Sequence, residues 1–168
     1  LNRGVESLAL DGDGFLWAVL QNPLANPDAD AFRAAANARI LKLDRATGRP
    51  VAEYVYTLEP MANFPGETDK AQSTARISEL AHVAGTKFLI DDRTDNTTRI
   101  LLIDVEGATD ILGSRWDDPA TTPALEQTDL GAAGISPVSK ELVLDSSKLP
   151  QLPGKIEGMT LIDGVLYL

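Results

Sequence analysis

Glu6, Glu157 and Asp92 are acidic residues set at the ends of short apolar runs, with Arg3 near the first and Arg93 beside the last. The segments ESLAL (residues 6–10) and EGMTL (157–161) each place a glutamate ahead of an apolar stretch. Strand alternation would put Glu6 on one face with Leu8 and Leu10, and Glu157 on one face with Met159 and Leu161. A carboxylate at the head of an apolar face is costly to bury unless it is paired or bound to a cation. Several such groups brought together could share Ca²⁺, a hard ion that prefers oxygen ligands. An acid next to an arginine, as in Asp92-Arg93, could hold a phosphate ester, with the guanidinium gripping its oxygens and the acid orienting water or metal. The expected roles are therefore Glu6, Glu157 and Asp92 as catalytic groups and metal ligands, with Arg3, Arg93 and Gln21 binding substrate. The competing expectations are solvated strand-end glutamates and Asp–Arg ion pairs between neighbouring sheets.

Other residues carry less. Glu79 falls one place out of step with Glu6, so it faces the other way. Asp11-Gly12-Asp13-Gly14 lacks the further ligands of a calcium loop and reads as a hairpin turn. Asp44 and Asp104 precede glycine-bearing turns and read as turn caps. His82, the one histidine, stands inside a strand with no G-x-S-x-G elbow anywhere, so packing is expected of it rather than catalysis. Trp17, Tyr54, Tyr56 and Phe88 are expected in the core.

The elements that must position these residues emerge from internal repeats. ESLAL, SELAH (78–82) and EGMTL align without gaps. Each leads through a glycine turn to an apolar run: FLWAVLQ (15–21), FLIDDR (88–93) and VLYL (165–168). Two further strands follow the first two hairpins, RILKLD (39–44) with VAEYVYTL (51–58), and RILLID (99–104) with VSKELVLD (138–145). Units of four consecutive antiparallel strands predict an all-β fold of β-propeller type, with about two and a half blades in residues 1–168. The second strands are apolar without alternation, as expected of strands buried on both faces. The Ala-rich end of segment 22–38 could form one or two helical turns. The long segments 60–76 and 112–137 are expected to crowd one mouth of the propeller channel.

Composition narrows the function classes. The 168 residues carry a net charge of −10 with dispersed Lys and Arg, which argues against a nucleic-acid partner. With no cysteine, disulfides, zinc-thiolate sites and Cys nucleophiles are excluded. No apolar stretch is long enough to span a bilayer. The chain opens on Leu rather than Met, from which a processed or cut product is expected.

The strings NRGVESLAL, LWAVLQNPL, RILKLDRATGRPVAEYVYTL, RILLIDVEGATDI and GKIEGMTL, taken in order, resemble the phytase-like family described by an esterase-like activity of phytase. The resemblance implies a secreted or periplasmic bacterial β-propeller that hydrolyses a phosphate ester, with Ca²⁺ held by acids at the channel mouth and activating water. It also implies that residues 1–168 are the N-terminal part of one such domain, whose remaining blades would be this segment's partners. The sequence departs from the family at DDRTDN (91–96), where Glu-Arg-Asp is usual. The alternatives are a non-catalytic periplasmic or surface propeller binding a protein or glycan, and a calcium-dependent lactonase or carboxylesterase.

Overall fold

The computed structural model describes residues 3–168. The chain is all-β. Its first sheet takes β1 (Val5–Leu10), β2 (Leu16–Leu20), β3 (Asn37–Leu43) and β4 (Pro50–Thr57) in sequential antiparallel order. The second repeats that order with β5 (Arg76–Ala84), β6 (Lys87–Arg93), β7 (Thr98–Asp104) and β8 (Ser139–Asp145). A hairpin of β9 (Thr160–Ile162) and β10 (Val165–Tyr167) begins a third unit. This topology is consistent with propeller blades.

Register shows that the two full sheets are repeats at the level of single residues. In β1 the pairing with β2 skips Glu6, and in β5 the pairing with β6 skips Ser78. Both strands thus carry a bulge at the same place in the aligned ESLAL and SELAH segments, and a bulge re-aims the residue it extrudes. It follows from the same registers that Val19, Leu20 and Gln21 correspond to Asp91, Asp92 and Arg93.

The two sheets pack face to face. Their shared core includes Trp17, Val19, Ile40 and Tyr56 from the first and Ile77, Phe88, Ile90 and Ile103 from the second. Strands β2 and β6 are buried along nearly their whole length, as their unbroken apolar runs require. At the inner side β1 lies beside β5, where Leu80 N donates to Ser7 Oγ at 2.8 Å and Ile77 N to the Gln21 carbonyl at 2.8 Å. Parts of β1, β5 and β9 together line a cavity of about 320 Å³.

The turns follow their sequence signals. Asp11 Oδ1 accepts from the backbone N–H of Asp13 and Phe15, and its Oδ2 accepts from Trp17 Nε1, so Asp11 caps the first hairpin. Asp44 accepts from Thr47 and Asp104 from Thr86 and Glu106 N, both as turn caps. The β9–β10 turn puts Asp163 and Gly164 at φ of 51° and 77°, the two positive values that a tight hairpin turn needs. One short helix, α1 (Ala29–Ala34), forms in the Ala-rich segment, capped by Asp28 Oδ1 accepting from Asp30 N and Ala31 N.

The two long segments take different courses. Residues 112–137 run back from the second sheet along the outer edge of the first, where the flanking Ile111 N bonds Glu53 O and Val138 N bonds Val55 O. Ile111, Trp116, Leu125 and Ile135 there bury a separate core with Val55. The edge strand β4 would otherwise expose unpaired backbone groups, so the return of the chain covers it. Segment 60–76 instead caps one end of the second sheet. Glu67, 1% exposed, accepts from Thr94 Oγ1 at 2.5 Å, Asn96 Nδ2 at 3.0 Å and Lys70 Nζ at 3.0 Å. Those bonds fix the 94–97 turn at the end of β6.

Candidate functional site

At that end, β6 finishes on three charged residues, Asp91, Asp92 and Arg93, all buried. The corresponding positions of the first sheet hold Val19, Leu20 and Gln21, so this stretch of strand accepts apolar side chains. Two carboxylates set there need a physical account. Alternation sends them to opposite faces.

Asp92 faces the first sheet. Its Oδ2 accepts from Tyr56 Oη at 2.9 Å and from Glu59 N at 2.6 Å, while Oδ1 has no partner. Burial pushes its pKa up to about 7, against the lowering by these two bonds. Around it runs a buried ionic network: Arg99 pairs with Glu59 at 3.1 Å and with Asp145 at 2.8 Å, and Lys140 reaches Glu59 at 2.6 Å. These contacts tie β4, β7 and β8 across the junction of the two sheets.

Asp91 lies on the other face, 1% exposed, with neither carboxylate oxygen hydrogen-bonded. Desolvation is the main cause of a pKa pushed up to about 8, opposed by Arg93 and reinforced by Asp92, Glu79 and Glu157. Asp91 therefore keeps its proton near neutral pH. Met159 packs over this face of the sheet with Ala81, Leu89 and Ile100.

Arg93 shares the face of Asp91 and is held from three sides. Its Nε donates to Ser78 Oγ at 2.6 Å, Nη1 to Thr94 O at 3.0 Å and Nη2 to Glu157 Oε1 at 2.7 Å. The bulge that extrudes Ser78 is what aims its hydroxyl at this guanidinium. Arg76 pairs with Asp95, which also lies 3.8 Å from Arg93 Nη1, and Lys155 Nζ lies 3.2 Å from Glu157. Three cations, Arg76, Arg93 and Lys155, are thus bridged by two carboxylates whose side chains are 62% and 60% exposed. Burial, then the nearby Arg76, draws the Arg93 pKa below its ordinary value.

Comparison with protein families adds the identity of the scaffold. The family model "Phytase-like: Esterase-like activity of phytase" matches residues 1–168. The chain belongs to the phytase-like family. No curated protein and no solved structure matches it significantly.

Within this phytase-like chain, the residues singled out from sequence separate into different places. Arg93 and Glu157 meet directly. Asp92 stands behind them on the opposite face, and Tyr56, expected as core, proves to be its hydrogen-bond donor. Arg3 lies beyond the start of β5, donating to Ser73 O at 2.8 Å and Asn22 Oδ1 at 3.2 Å, with its guanidinium over Phe32. Gln21 is buried, and its backbone joins Gly4 and Ile77. Glu6 is exposed on the bulge, on a face where Leu8 and Leu10 are exposed as well, because the buried side of β1 is that of Ser7 and Ala9. Glu157 precedes β9 by three residues rather than heading the strand. Glu79 accepts from Ser7 Oγ across the inner strands. His82 packs with its ring tilted against Phe88, centroids 5.1 Å apart, and contacts Gly85 O at 3.2 Å.

The expected calcium set does not assemble. Among the described residues no three of His, Asp and Glu are grouped so as to hold a metal ion. Glu6 is exposed on its bulge, Asp92 points into the sheet junction and Glu157 pairs with Arg93 and Lys155. The three carboxylates thus lie in three separate environments rather than around one point. Sequence reasoning passed over Asp91, Ser78, Arg76 and Lys155. The aligned repeat held a signal for the first, since FLWAVLQ places an apolar residue where FLIDDR has Asp91.

Proposed function

We propose that this phytase-like chain is a hydrolase for phosphate esters, with its anion site at the Arg76–Arg93–Lys155 cluster and Asp91 as the proton donor. The observation that carries this reading is Asp91: a buried carboxyl with both oxygens unpartnered, on the same face as an arginine whose outward bond goes to an exposed acid. Three cations against two exposed carboxylates leave net positive charge for a phosphoryl group, and guanidinium groups bind its oxygens in pairs. As water attacks phosphorus and the ester P–O bond breaks, a carboxyl that stays protonated near neutral pH can supply the leaving alkoxide with a proton. Asp91 is closed to solvent, so the Glu157 and Met159 side chains must swing aside for the transfer. No step here passes through a metal.

The test is turnover of a phosphate monoester and of a carboxylic ester, each with added calcium and with chelator. Phosphate release is expected, with little response to chelator. Carboxylic-ester cleavage alone would favour the lactonase or carboxylesterase reading. The substitutions Arg76→Gln and Lys155→Gln are each expected to raise KM for the phosphate ester about tenfold with a smaller change in kcat; an unchanged KM in both would remove the cluster from the site.

A second reading has its own observation. Arg93, Asp92 and Gln21 all have contacts that join neighbouring elements, as a binding scaffold without chemistry would use them. Absence of turnover on both esters would favour it.

A further inference from the structure

The segment from Ser146 to Glu157 crosses the end of the second sheet as a strap. It is pinned at three points. Ser146 Oγ accepts from Thr98 N at 2.9 Å, and Ile156 N donates to Thr98 Oγ1 at 3.1 Å, with the Ile156 side chain buried. Between them Gly154 sits hard on the 94–97 turn: a Cβ there would lie 2.0 Å from Asn96 O and 2.7 Å from Asn96 C. No side chain fits, so the strap backbone is seated where it lies. Glu157 follows at once, with its side chain 60% exposed and one oxygen on Arg93 Nη2.

Arg93 is 2% exposed, and its Nε and Nη1 face Ser78 and the Thr94 carbonyl. Nη2 is the donor whose partner reaches out to solvent. Glu157 occupies it with the charge, the oxygen geometry and the bidentate potential of an incoming phosphate, and Lys155 leans on the same oxygen. An exposed carboxylate loses little by rotating into water, whereas a pinned backbone keeps it close enough to return.

We propose that Glu157 is a built-in surrogate ligand, an autoinhibitory latch that fills the Arg93–Lys155 anion site until a phosphoryl group displaces it. This rests on the phosphate-site reading above. The latch sets the affinity of the site: anion and carboxylate compete for the same donors, so binding of one releases the other. It also makes Glu157 an opponent of substrate binding rather than a metal ligand or base.

The experiment is calorimetric titration of inorganic phosphate into the wild-type protein and the variants Glu157→Gln and Glu106→Gln. Glu106 is exposed beyond β7 at the far end of the second sheet from Arg93, so it controls for the loss of one negative charge. The Glu157→Gln protein is expected to bind phosphate roughly fivefold tighter than wild type, the ratio that releasing one partly exposed ion pair would give. The Glu106→Gln protein is expected to match wild type. Equal gains in both variants, or wild-type binding with no gain in Glu157→Gln, would overturn the latch and leave the phosphate site standing. Absence of phosphate binding in all three proteins would overturn both.

Discussion

Replacing Asp91 by asparagine is expected to make the protein more stable at pH 8 while removing most of the phosphate-ester turnover proposed for it. The carboxyl has a pKa near 8 in the folded chain and 3.8 as its ordinary value. In the window between those values the folded state holds a proton that the unfolded state has lost. Stability contributed by this group is therefore fully present below about pH 4 and falls as pH rises through the folded value. Asp92, with values of about 7 and 3.8, adds to the same slope. Asparagine cannot ionise, so the slope due to position 91 vanishes. The net gain at pH 8 is on the order of 2 kcal/mol, the linkage energy less the cost of burying an amide without partners. Loss of a general acid lowers turnover by about 100-fold or more. Urea titrations of both proteins at pH 5 and pH 8, beside the ester assay, check this. Unfolding curves for wild type that do not weaken between those pH values would show that Asp91 is ionised, and the proton-donor role would go with it.

Arg99→Ala is expected to be the most damaging single substitution at the sheet junction. Glu59 and Asp145, whose side chains are 7% and 6% exposed, would each lose this buried partner at once, although Lys140 still reaches Glu59. Breaking a buried pair by removing one member costs about 3–5 kcal/mol, because the surviving charge stays desolvated. In a chain of this size that lowers the melting temperature by roughly 6–20 °C. Arg39 occupies the matching place in the first sheet and pairs with Glu53 at 2.6 Å and Glu126 at 3.6 Å. A thermal melt of the Arg99→Ala protein that shifts by less than 2 °C would mean that the network contributes nothing net.

The fold was largely legible because its signals are local. The alignment of ESLAL with SELAH located not only matching strands but matching bulges, and the glycine and aspartate turns fell where their chemistry required. The site was less legible. Glu6 and Glu157 share a sequence context, yet one rests exposed on a bulge of a complete sheet while the other sits on a strap. Strand alternation said that Glu6 lies with Leu8 and Leu10, which is correct, but not which face of β1 would be covered. That depends on the neighbouring sheet, and Ser7, not Glu6, meets β5. Asp92 reads from sequence as a catalytic group and metal ligand because it ends an apolar run beside an arginine. Tyr56 Oη and Glu59 N enclose it, and neither contact is visible from spacing. The positions of Arg39 and Arg99 were plain in RILKLD and RILLID, but a partner as remote as Glu126 emerges only from the way the chain returns.

That return has a consequence for how the molecule is made and taken apart. The outer edge of the first sheet is finished by residues 111–138, which belong to the excursion between the third and fourth strands of the second. During synthesis the first four strands must wait, one border open, until that later stretch leaves the ribosome. The halves are then buckled together, so a protease that nicks the connector at 60–76 should leave two fragments that still migrate as one particle under native conditions.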